Sequence, residues 1–153
     1  MRLLDRDNLA FFRERLMDIH STDQRRWGNL TPVELIRHLR RSVEISLGEG
    51  EPVKITSIPL VSPLLGVLLF RVFTSWPRGK IKVPKSMTPD PEGDIIEERL
   101  ALFETMERFI DTAEEDPRRP APSPVCGMVT LKYYRRIHGV HLRHHLRQFG
   151  VYD

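Results

Sequence analysis

The histidines of this 153-residue chain are not scattered. Four of the six lie in the run His138-Gly-Val-His141-Leu-Arg-His144-His145. The surrounding stretch, from about Thr130 to Phe149, has helical periodicity and ends at Gly150. At ~100° per residue, His138, His141 and His145 share a stripe with Leu131, Tyr134, Leu142, Leu146 and Phe149. Arg136, Arg143 and Arg147 lie opposite, and His144 falls toward that outer side. This helix therefore turns three imidazoles toward its apolar face. A buried imidazole that loses its hydrogen bonds costs roughly 1–3 kcal/mol. The rest of the chain must supply partners for them.

Three further amphipathic helices are legible. The first runs from about Asp5 to His20, with Leu9, Phe12, Leu16 and Ile19 on one stripe. The second has the clearest start signal. Thr31 is a natural N-cap, Pro32 occupies the first helical position, and Glu34 is placed to reach back to the cap amide. Leu30 and Leu35 are spaced for a hydrophobic staple, and Gly48 and Gly50 stop the helix near Leu47. The third runs from about Asp94 to Glu114. Asp94 and Glu97 suggest another capping box, and Ile96, Leu100, Phe103, Ile110 and Ala113 suggest the buried stripe.

No strand pattern competes. The stretches 80–93 and 116–124 hold Pro84, Pro89, Pro91, Pro117, Pro120, Pro122 and Pro124, and read as loops. The expected fold is all-α, a single domain over residues 1–153. It is a four-helix bundle with a long crossover between the second and third helices. The apolar segment 58–73 in that crossover contains Pro59, Pro63 and Arg71, which argue against a membrane span and for a buried crossover segment, and its middle, from Pro63 to Phe73, is expected to add a short helix. The apolar fraction of 40% and charged fraction of 29% exclude a disordered chain. The lone Cys126 excludes an intramolecular disulfide, and no signal peptide is visible, so a reducing, cytoplasmic location is expected.

The i, i+4 pair His141 and His145 brings two ring nitrogens near one point, the spacing of helical metal sites. A third ligand must come from another helix. His38 is the candidate, at the edge of the second helix's apolar arc of Leu35, Ile36, Leu39 and Val43. His138 is a fourth ligand, a supporting hydrogen-bond donor or a general base.

Trp27-Gly-Asn-Leu-Thr-Pro32 followed by His38-Leu39 resembles the second-helix signature of the DinB/YfiT-like superfamily of metalloenzymes. His141-Leu-Arg-His144-His145-Leu-Arg-Gln148-Phe149-Gly150 resembles its last-helix signature, in a subgroup of bacterial DinB-like proteins. The resemblance implies a DinB-like four-helix bundle, often a homodimer. It also implies a three-histidine divalent metal site, commonly zinc or nickel, with His38, His141 and His145 as ligands. Gln148 matches a glutamine one turn after the last ligand. One departure is Ser123, where relatives often carry histidine; the apolar character of the crossover is another.

Three histidines leave an open coordination position, the arrangement of a catalytic metal. Such an ion activates a water or a thiolate. The resemblance implies a transferase using a low-molecular-weight thiol, or a hydrolase, acting on a small-molecule substrate. Arg37 and Arg41 are candidates for holding a substrate carboxylate, and Cys126 is not expected to be a nucleophile. The rival reading is a non-catalytic metal-binding or interaction protein. Lys132, Arg135, Arg136, Arg143 and Arg147 make the last helix basic. No nucleic-acid motif or aromatic platform accompanies them, the net charge is only +3, and no nucleic-acid partner is expected.

Overall fold

A computed structural model describes residues 2–49, 93–123 and 127–153. The described residues are mostly helical, with four helices and one small antiparallel hairpin. The expected crossover, its extra helix over 63–73, and Cys126 lie outside the described residues.

Helix α1 spans Arg6–Met17, capped by the Asp5 carboxylate, which accepts from the Asn8 amide at 3.1 Å. It ends before His20, yet Ile19 is still fully buried as the stripe requires. The Arg99 guanidinium donates to the Ile19 carbonyl and so satisfies the chain just beyond the helix end. Helix α2 spans Pro32–Leu47 and starts as its sequence demands. Glu34 N donates to Thr31 Oγ1 at 3.3 Å, and Thr31 N donates to Glu34 Oε2 at 2.6 Å. Leu30 and Leu35 are both buried, and Gly48 closes the helix in the left-handed region.

Helix α3 spans Ile95–Glu115, and here the expected stripe is corrected. Ile96 and Leu100 are 61% and 58% exposed, while Leu102, Thr105, Met106, Phe109, Ile110 and Ala113 are buried. The first turns of α3 turn Ile95 and Glu98 inward instead. Glu98 takes Arg37 Nε at 2.7 Å and Arg40 at 3.1 Å, an ion-pair bridge that ties α3 to α2. Asp94 caps the helix through the Ile96 amide at 2.7 Å.

The expected absence of strands is also corrected. Strand β1 (Pro120–Ser123) pairs antiparallel with β2 (Gly127–Thr130), Pro120 opposite Thr130 and Ser123 opposite Gly127. A two-stranded ribbon has only edges, and an edge strand tolerates prolines that a central strand would not. Thr130 then caps α4, which spans Leu131–Gln148.

Helix α2 packs most extensively against α3 and also lies along α4. Phe12, Leu16, Leu35, Ile36, Met106, Phe109 and Leu131 fill the core between the helices. The N-terminal segment crosses α4, with Leu4 N donating to the Arg135 carbonyl at 2.9 Å. That crossing depends on Gly139, where a Cβ would come 2.2 Å from the Arg2 carbonyl oxygen. No helix among the described residues is long and apolar enough to cross a membrane.

Candidate metal centre

Because α2 and α4 are neighbours, the inner edge of α2 faces the histidine stripe of α4. His38, His141 and His145 are all buried, and one ring nitrogen from each lies within 4.8 Å of the others. His141 Nε2 is 3.0 Å from His38 Nε2 and 3.0 Å from His145 Nε2. The rings meet steeply, at 90° for His38 and His141 and 64° for His141 and His145. Two imidazole nitrogens bound at ~2.0–2.1 Å to one tetrahedral ion lie about 3.3 Å apart. Two of the three separations match that spacing to within a few tenths of an ångström, and the third lies within 4.8 Å. Three buried histidines are thus close enough to hold a metal ion.

Neighbouring groups decide which nitrogens carry lone pairs. Gln148 Nε2 donates to the Trp27 carbonyl at 2.6 Å, and a carbonyl can only accept. Its other amide atom, Oε1, therefore faces His145 Nδ1 at 2.8 Å and must receive a hydrogen from it. His145 carries its proton on Nδ1 and points a lone pair from Nε2 into the cluster. His141 Nδ1 lies 3.2 Å from Ser42 Oγ. A hydroxyl both donates and accepts, so Ser42 suits His141 in either tautomer, including the one that frees Nε2 for a ligand bond.

His138 is organised differently. Ser46 Oγ spends its one hydrogen on the Val43 carbonyl at 2.6 Å. It must then accept from His138 Nε2–H at 2.9 Å. The ring stacks on Tyr134 and meets the edge of Phe109, with centroids 5.0 and 4.8 Å apart. That nitrogen is committed to a structural hydrogen bond, which leaves His138 outside the three-nitrogen cluster.

Burial governs the electrostatics. It pushes His138 down to about 3. Burial also holds His141 well below the usual histidine range, helped by His145 and His38. His145 is lowered by burial and then by His38 and His144, with the Gln148 hydrogen bond acting the other way. The favoured form of both is the neutral imidazole, the form that ligates metals.

The structure thus brings together His38, His141 and His145, with Gln148 bonded to His145. His144, expected outside, is half-buried at the edge, its ring 5.0 Å from His145 and 6.2 Å from Trp27. Arg37, a candidate for a substrate carboxylate, is engaged by Glu98. Ser42 and Ser46 were not anticipated. Their signal was the i+4 and i+8 spacing from His38, which puts all three on one face of α2.

Over residues 2–151 the chain matches the family described as "Protein of unknown function (DUF1569)". No curated protein and no solved structure matches significantly. The family is a different one from DinB, so the DinB/YfiT resemblance read on Trp27–Leu39 and His141–Gly150 is corrected. Its motifs are general solutions: a Thr-Pro-x-Glu capping box starts many helices, and His-x-x-x-His pairs two imidazoles on any helix. With nearly its whole length covered by the match, the chain belongs to the DUF1569 family.

Proposed function

We propose that this protein binds one divalent transition-metal ion, zinc or nickel, through His38, His141 and His145, and uses it to process a small molecule. The observation that carries this reading is the convergence of three buried Nε2 atoms, two pairs of them 3.0 Å apart. Like-oriented nitrogens are costly to gather in a core without a shared proton or cation to satisfy them. A divalent ion bound there would supply Lewis acidity, lowering the pKa of a water or thiol. The reaction class that suits it is hydrolysis, or group transfer to a low-molecular-weight thiol. Three protein ligands are the number that leaves a position for substrate or nucleophile.

The chain's own residues hold and orient. Gln148 keeps the His145 proton on Nδ1, and Ser42 accepts or donates at His141 Nδ1 as the tautomer requires. Burial keeps the His141 and His145 imidazoles neutral.

Elemental analysis of protein purified without a metal-affinity tag tests the reading. Close to one zinc or nickel ion per chain is expected after equilibration with micromolar metal. Chelation is expected to abolish turnover of ester, amide or thiol-plus-electrophile substrates, and the ion to restore it. Folded protein that takes up neither ion would overturn the proposal. Stoichiometric metal without any turnover would reassign the protein as a non-catalytic metal binder.

A further inference from the structure

Position 28 is a glycine with φ +79°, in the turn that precedes α2. A Cβ there would come 2.2 Å from Gln148 Nε2 and 3.5 Å from its Cδ. The amide it would strike is the one that donates to the Trp27 carbonyl and accepts from His145 Nδ1. The same turn holds the main chain of Gln148 as well, since Arg26 N donates to the Gln148 carbonyl at 2.7 Å. Arg25 Nε donates to the Gly28 carbonyl at 2.8 Å and closes the turn on itself.

We infer that Gly28 and the Trp27 carbonyl form a positioning clamp that sets the tautomer and orientation of His145 through Gln148. The consequence for metal affinity rests on the proposed metal site; the clamp itself does not. The Gln148 amide is the end of a flexible side chain, so a methyl at position 28 is accommodated by swinging that amide away while α4 stays in place. His145 Nδ1 then loses its acceptor. The alternative tautomer, with the hydrogen on Nε2, becomes accessible, and that form offers no lone pair to the cluster.

Two readouts test the clamp. In metal-free protein labelled with ¹⁵N-histidine, the wild type is expected to show His145 protonated at Nδ1, and Gly28→Ala to lose that preference. In competition with a chromophoric chelator, zinc affinity is expected to fall roughly 10–100-fold in Gly28→Ala. Gln148→Ala is expected to fall by a similar factor, and the double variant no further. Gly48→Ala is the control for backbone strain. It has φ +78°, and a Cβ there meets nothing within 4 Å, so its zinc affinity should match wild type. Wild-type affinity in Gly28→Ala, an equal loss in Gly48→Ala, or additive losses in the double variant would overturn the clamp. If the wild type binds no zinc, the metal proposal fails. The tautomer measurement still decides, because His145 protonated at Nδ1 equally in wild type and Gly28→Ala overturns the clamp.

Discussion

Replacing His141 with alanine is expected to lower zinc or nickel affinity by more than ~100-fold, since loss of a mere supporting partner already costs 10–100-fold. His141 is the middle of the cluster: its Nε2 faces both other imidazoles and its Nδ1 faces Ser42. Alanine removes a ligand and leaves only His38 and His145, whose ring centroids are 5.1 Å apart, to hold the ion. In the metal-free protein the same change is expected to cost on the order of 1–3 kcal/mol, from lost packing around a buried side chain and a lost hydrogen bond at Ser42. His20→Ala serves as the comparison, because His20 is exposed on the loop after α1 and should change neither quantity. Calorimetric metal titration and urea unfolding of both variants check this. Undiminished affinity in His141→Ala would remove His141 from the ligand set.

Acid should destabilise the metal-free protein steeply. Burial lowers His138 from 6.5 to about 3 in the folded chain, so the unfolded chain takes up its proton first as the pH falls. Above pH 6.5 the ring is neutral in both states and contributes no pH dependence. Below it, stability is lost at about 1.4 kcal/mol per pH unit until the folded-state value is reached. From pH 6.5 to 5 His138 alone therefore costs about 2 kcal/mol, a large part of a typical domain's 5–15 kcal/mol. His141 and His145 are shifted in the same direction and steepen the slope. Urea unfolding of metal-free protein at pH 7 and pH 5 measures the loss. His138→Leu should reduce it, because Ser46 keeps its bond to the Val43 carbonyl and no proton is taken up at that position. An equal loss in wild type and His138→Leu would show that the imidazole is not held neutral by burial.

The parts of this structure that sequence alone predicts are those written in local chemistry. Thr31, Pro32, Glu34 and Gly48 mark both ends of α2 because capping depends on residues within one turn. The histidine stripe of α4 follows from helical spacing, and His38 from its place at the edge of the facing helix. What failed depends on contacts between distant residues. The inward register of α3 is set partly by Glu98 meeting Arg37 and Arg40, so Ile96 and Leu100 lost the interior to an ion pair. The β1–β2 hairpin was hidden by prolines that an edge strand accepts. The roles of Ser42, Ser46 and Gly28 follow only once α2, α4 and the turn before α2 are placed against one another, although spacing from His38 already puts both serines on its face of α2. The DinB resemblance fails for a related reason. Motifs dictated by helix capping and imidazole pairing say what a helix can do, and many families share them.

His38, His141 and His145 are proposed to hold one ion through their Nε2 atoms. The most direct test is an anomalous difference map, recorded at the metal's absorption edge, from crystals of zinc- or nickel-loaded protein. The predicted result is a single peak about 2.0–2.1 Å from each of the three Nε2 atoms. A map with no peak there, and the three imidazoles still hydrogen-bonded to one another, would contradict it.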